Sequence, residues 1–304
     1  MSSDFSAVIE NDARMVNGVL LNHRLLKDTE KSPWEEVLEA ERYALSAGGK
    51  RIRPVLAVEF YKLFTGIAEP PEYVWEAACA LEMTHTFSLI HDDMPEMDDD
   101  DLRRGKPSTH VKYGCATGLL AGDGLAILPY ELLSSLALQG KMQYGTALRL
   151  INILSSSAGN SGMIAGQMLD LWSENREDID GDFLRKMSDY KTGRMLSASC
   201  LFGAVMAGAS PLQENSAEVY AKNVGLAFQI VDDVLDVTAD TTILGKPAGS
   251  DSDRKKPTFA TLCGVDGALR MAQELSENAA AEIRKYPGSE LLCEFALSLA
   301  KRNK

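Results

Sequence analysis

The sequence predicts an all-α protein, and three observations carry that reading. Apolar residues recur at helical spacing along most of the chain, no stretch sustains the alternation of a half-buried strand, and the breaks are short and marked by glycine or proline. From Trp34 to Leu45, the apolar Val37, Leu38, Tyr43, Ala44 and Leu45 recur among acids. That pattern predicts an amphipathic helix with Pro33 at its first position, Ser32 as its cap, and Gly48-Gly49 as its stop. A second helix opens near Pro54, and Glu72 to Ile90 forms a longer one. Apolar-rich segments follow at 115–139, 144–171, 182–209, 215–238 and 265–283, with a last helix at 288–302. Breaks fall at Pro70-Pro71, Gly105-Lys106-Pro107, Gly140, Gly181 and Gly245 to Pro257. None is long or biased enough to be a linker, so residues 1–304 are expected to form one domain.

Composition narrows the function classes. The 304 residues are 45% hydrophobic and 25% charged, with a net charge of −13, which fits a soluble globular chain. A nucleic-acid partner is disfavoured, because phosphate backbones need a basic surface, although a local basic cluster can still hold a small anion. The five cysteines are widely spaced with no C-x-x-C pair, and read as reduced packing residues. The N-terminus carries acids early and has no secretory pattern. The low-charge run Met195 to Ser210 falls short of the ~20 residues that span a bilayer. A cytoplasmic protein without stable membrane insertion is the expectation.

The chemistry lies in two acidic motifs. In the second, Phe228 to Asp236, the residues Gln229, Asp232, Asp233 and Asp236 fall at i, i+3, i+4 and i+7. They form one polar stripe on an otherwise apolar helix. Two carboxylates about 4 Å apart repel by roughly 4 kcal/mol at an effective dielectric of about 20, so such a stripe needs a positive partner. The first motif runs from His91-Asp92-Asp93 through Pro95 to Asp98-Asp99-Asp100-Asp101. On an unbroken helix Asp92 and Asp98 would stand about 120° apart and about 9 Å along the axis. Pro95 breaks the helix, and the chain can then bend Asp98 back towards Asp92. The basic group Arg103-Arg104-Gly105-Lys106 follows at once. Carboxylates without histidine or cysteine ligands select hard cations such as Mg²⁺, whose shell is usually completed by water and substrate phosphate. A metal-bridged di- or triphosphate is the predicted ligand.

These residues resemble the trans-prenyl diphosphate synthases, and among them the bacterial farnesyl diphosphate synthases. The matching blocks are Gly48-Gly49-Lys50-Arg51-Ile52-Arg53-Pro54, Glu82 to Pro107, Ala121-Gly122-Asp123, Gly166 to Asp170, Lys191-Thr192-Gly193, Gly225 to Asp236 and Leu244-Gly245-Lys246. The resemblance implies a single-domain helical bundle of the isoprenoid synthase type around a deep central cavity, with both acidic motifs at its mouth. It implies head-to-tail condensation of isopentenyl diphosphate with an allylic diphosphate by Mg²⁺-assisted ionisation, condensation and proton loss. Three Mg²⁺ ions are implied, held by Asp92, Asp98 and Asp232 with Asp93 and Asp236 in support. Asp92, Asp93, Asp98, Lys191, Asp232 and Asp233 are the implied catalytic set. Arg103, Lys191, Thr192, Gln229, Lys246 and Lys256 would contact the allylic diphosphate. Lys50, Arg53, His85 and Arg104 would hold isopentenyl diphosphate, and a homodimer is implied as well.

The resemblance also bears on product length, through the residues four and five before the first aspartate, here Ser88 and Phe87. A ring at position 87 implies arrest near fifteen carbons and farnesyl diphosphate as main product, with geranylgeranyl diphosphate the runner-up. A terpene cyclase shares the acidic motifs but needs no second diphosphate site. A non-catalytic regulatory subunit would have lost acids from one motif, yet both are intact here.

Overall fold

The computed structural model describes residues 5–26, 32, 34–174, 176, 178–238 and 257–301. In chain order the helices are α1 (Phe5–Asn22), α2 (Glu35–Leu45), α3 (Ile52–Thr65), α4 (Glu72–Asp92), α5 (Thr109–Tyr113), α6 (Cys115–Leu138), α7 (Tyr144–Ala158) and α8 (Met163–Ser173). There follow α9 (Gly181–Ser188), a π-helical stretch (Asp189–Gly193), α10 (Arg194–Met206), α11 (Pro211–Thr238), α12 (Phe259–Ile283) and α13 (Glu290–Leu299). The predicted fold class stands. One antiparallel pair was not anticipated: β1 (Leu102–Arg103) and β2 (Lys106–Pro107), in register Leu102 to Pro107 and Arg103 to Lys106. Its turn residues, Arg104 (φ 54°) and Gly105 (φ 75°), are both left-handed, as a tight two-residue hairpin requires.

Boundaries moved where local chemistry outweighed pattern. Helix α2 begins after Trp34, which occupies the N-cap without a side-chain bond, so Ser32 is not the cap. The expected helix over 144–171 is broken at 159–162, and the one over 182–209 passes through the π stretch. Gly48 (φ 90°) and Gly49 (φ 121°) follow α2 in conformations that L side chains rarely adopt.

Contacts group the chain into two compact units. One holds Ser6–Val58 and Pro70–Ile151. At its centre is α4, buried on all sides from Val74 to Thr84, as a helix apolar all round must be. Val16, Leu20, Leu45, Val55, Leu125, Leu132 and Leu133 complete this core. The other unit holds Met1–Phe5, Glu59–Glu69 and Asn152–Lys304. Its α10 is almost wholly buried. Ile230, Val231 and Val234 of α11 pack with Leu184, Phe259, Ala268 and Ala272. Tyr220, also on α11, donates to the Leu292 carbonyl at 2.8 Å and meets Phe60 edge-on. Thr258 and Thr261 close a capping box at the start of α12.

Candidate active site

The first acidic motif folds as its proline dictates. Helix α4 ends at Asp92 and the chain turns through Pro95. The Asp98 amide then donates to the Asp92 carbonyl at 2.8 Å, so the two residues are brought back together. Asp93 is 2% exposed. Burial pushes its carboxyl above the usual range, and the Arg103 guanidinium pulls it back only in part. Arg103 donates to both Asp93 oxygens and also reaches Asp100 at 3.3 Å. The hairpin turn sends the next arginine elsewhere. Arg104 donates to the Gly48 carbonyl, and its guanidinium fills the space where a Gly49 side chain would stand, Nη1 2.5 Å from that point. A cavity of about 20 Å³, room for about one water, touches Asp93, Arg103 and Arg104.

Beside this lies the basic patch. Arg53, Arg103 and Arg104 all act electrostatically on His85, whose pKa burial and these cations drive well below its ordinary value. His85 is therefore a neutral hydrogen-bonding group at physiological pH. The buried Nε of Arg53 has no hydrogen-bond partner among the described residues. An orphaned cationic donor beside a second guanidinium and a neutral imidazole is a ready cradle for an anion. Lys50 is exposed and adjoins the Gly49 that Arg104 covers. Of the chain-length pair, Ser88 donates to the His85 carbonyl at 2.9 Å, and the half-buried Phe87 ring meets His91.

The second motif belongs to the other unit, on α11. Asp233 and Asp236 are buried and Asp232 is half-buried. Gln229 accepts from Thr192 at 3.2 Å and donates to Asp233 at 3.0 Å. The other Asp233 oxygen accepts the first amide of α12, from Phe259, at 3.0 Å. Lys191 and Thr192 lie in the π stretch, a distortion that is frequent at functional sites. Lys191 Nζ sits 2.7 Å from Asp170. Lys246 and Lys256 lie outside the described residues.

Mg²⁺ fits this donor set. The motif acids offer only carboxylate oxygens, and among the described residues no three histidine, cysteine or acidic side chains converge into a complete metal cage. A hard ion that keeps waters and completes its shell on phosphate suits such a partial site.

The polyprenyl synthetase family matches residues 35–286. The chain belongs to the polyprenyl synthetases. It is 41% identical over 269 residues to a geranylgeranyl diphosphate synthase of Cyanophora paradoxa, covering 88% of each chain. It is also 41% identical over 230 residues to a farnesyl diphosphate synthase of Geobacillus stearothermophilus, covering 76% of each. A Helicobacter pylori geranyltransferase, solved with magnesium and isoprenyl diphosphate, superposes with a TM-score of 0.82 at 30% identity over 98% of both chains. This polyprenyl synthetase is accordingly a short-chain trans-prenyltransferase of all-α fold.

Two supporting groups in this polyprenyl synthetase were not singled out by the sequence. Arg51, 3% exposed and at φ 50°, donates to Glu82 at 2.5 Å, to Asn17 at 2.8 Å and to the Leu45 carbonyl. It ties α1, α2 and α4 to the strap that presents Lys50 and Arg53. Nothing in the sequence distinguishes it from those two neighbours. Glu41, against Gly124 of α6, is 4% exposed, and burial raises its pKa to about 7.

Proposed function

We propose that this enzyme condenses isopentenyl diphosphate with dimethylallyl and geranyl diphosphates to give mainly farnesyl diphosphate and pyrophosphate. The observation that carries a two-diphosphate reaction is the orphaned Arg53 Nε beside Arg104 and the neutral His85. A cyclase, with one diphosphate, has no use for that cradle. In the reaction the allylic C–O bond breaks and pyrophosphate departs with its electron pair. The double bond of isopentenyl diphosphate then forms the new C–C bond, and a proton is lost from the adduct, with pyrophosphate as its acceptor. Mg²⁺ bound by Asp92, Asp98 and Asp232, three ions in our reading, would neutralise the charge that builds on the leaving group. Asp93 and Asp236 support those acids. Arg103, Lys191, Thr192, Gln229, Lys246 and Lys256 hold the allylic diphosphate and stabilise the same charge. Lys50, Arg53, His85 and Arg104 hold the second substrate close to the reacting carbon. Asp233, with both oxygens engaged, orients Gln229 and the start of α12.

The Phe87 ring, five residues before Asp92, supports arrest at fifteen carbons. The relatives carry both farnesyl and geranylgeranyl names, so product analysis decides. Purified enzyme with Mg²⁺, labelled isopentenyl diphosphate and dimethylallyl or geranyl diphosphate should yield a C15 product. A C20 product would select the geranylgeranyl reading, and no elongated chain would refute both.

A cytoplasmic homodimer completes the proposal. On α6, Leu120, Ile127 and Leu138 are 54%, 67% and 75% exposed. At about 100° per residue they share one stripe to within about 20°. Helix α6 is long and apolar enough to cross a membrane, but its opposite face, Leu125, Leu132 and Leu136, is already buried in protein. A second copy is the cover we assign to the exposed stripe, and sedimentation should return twice the chain mass.

A further inference from the structure

Phe87 does not hold its place alone. His91, one helical turn along α4, meets it edge-on, with centroids 5.9 Å apart and planes at 74°. Residues four apart share a helix face, so each ring limits where the other can go. Three contacts fix His91 from α6. Its Nε2 lies 3.2 Å from the Leu119 carbonyl; a carbonyl only accepts, so that nitrogen carries the proton. The Asp123 carboxylate stands 3.7 Å from the same atom. The imidazole also occupies the space a methyl on Gly122 would need, with Cε1 3.0 Å from that point and Nε2 closer. The ring is thus seated on a bare helix backbone.

We propose that His91 is a specificity-determining positioning residue. Anchored on α6, it holds the Phe87 ring in the orientation that stops chain growth. The inference rests on the Phe87 reading above and adds a residue to it. Ring contacts of this geometry bias a rotamer by about 2- to 10-fold, which sets the scale of the effect.

Full-length His91→Ala, Phe87→Ala and the double variant are assayed with Mg²⁺, isopentenyl diphosphate and geranyl diphosphate, reading the C20-to-C15 ratio. A ratio is used because His91 adjoins Asp92, so a simple loss of rate carries no information about length. His91→Ala should raise the ratio about 2- to 10-fold, and His91→Phe, which keeps an aromatic edge, should raise it less. In the Phe87→Ala background, His91→Ala should add nothing, because its route to the product runs through that ring. Gly122→Ala, which pushes the imidazole off its seat from the other helix, should shift the ratio in the same direction, and serves if His91→Ala does not fold. A lengthened product in Phe87→Ala with no change in His91→Ala or Gly122→Ala overturns the role of His91. So does an equal effect of His91→Ala with and without Phe87. An unchanged product in Phe87→Ala instead overturns the Phe87 reading itself, and this inference with it.

Discussion

Replacing Gly166 with alanine tests how tightly Lys191 must be placed. Gly166 lies in α8 against the π stretch, and a methyl there would stand 2.5 Å from the Tyr190 carbonyl carbon, with Lys191 backbone atoms nearer still. Ordinary carbon contacts need about 3.5–4.0 Å, so one segment must retreat by about 1 Å. Backbone cannot swing aside as a side-chain tip can. Gly193 in turn rests on Gly225, whose added methyl would lie 3.1 Å from the Gly193 Cα, so the π stretch has backbone on that side too. Overpacking of this kind costs about 1–3 kcal/mol of stability. A displacement of about 1 Å at a positioning group costs about 100-fold in rate. We therefore expect Gly166→Ala to lose about 100-fold in kcat, measured by incorporation of labelled isopentenyl diphosphate, while remaining folded. Gly145→Ala is the control, since nothing lies within 4 Å of its added methyl; its rate should stay at the wild-type level. A Gly166→Ala enzyme with wild-type kcat would refute the claim that this contact places Lys191.

Three further outcomes follow from the same geometry. Arg51→Ala strands Glu82, itself 2% exposed, and losing one member of a buried pair costs roughly 3–5 kcal/mol, read as a lower urea midpoint; an unmoved midpoint would mean that other groups hold Glu82. Glu41 has a folded pKa of about 7 against an ordinary 4.5, so the folded state binds more protons in between and stability falls as pH rises through that window. Glu41→Gln should remove that fall, on the order of 3 kcal/mol, so that the variant gains on wild type in thermal melts at pH 8 relative to pH 4, and parallel pH profiles would refute it. Chelation with EDTA should abolish turnover and added Mg²⁺ restore it; turnover persisting in the chelator would refute the carboxylate–metal chemistry.

The fold class and the first motif were legible because each rests on local rules. Pro95 would strip an interior helical turn of one backbone hydrogen bond; α4 stops before it, and the chain is free to bring Asp98 back to Asp92. The second stripe was legible from helical spacing alone. What stayed hidden depends on partners distant in sequence. Gly166 reads as one more small helical residue until the backbone of Lys191 is found against it. Asp233 reads as one more member of the catalytic set until the Phe259 amide claims one of its oxygens. Arg51 looks like Lys50 and Arg53 in the same basic run, and only the buried Glu82 marks it as a structural group. The hairpin escaped because four paired residues are too few to show any alternation, and its turn is marked only by Arg104-Gly105.

That hairpin assigns adjacent side chains to unlike tasks. Because Arg104 sits at the left-handed corner, Arg103 is delivered to the acids and Arg104 to the glycine strap. Inserting or deleting one residue at the corner would rotate the pair by a position and offer each guanidinium its neighbour's post, although every arginine would survive in the sequence. Anyone transplanting this stretch into another scaffold must carry the corner along with the charges, since it is the bend that tells two chemically identical groups apart.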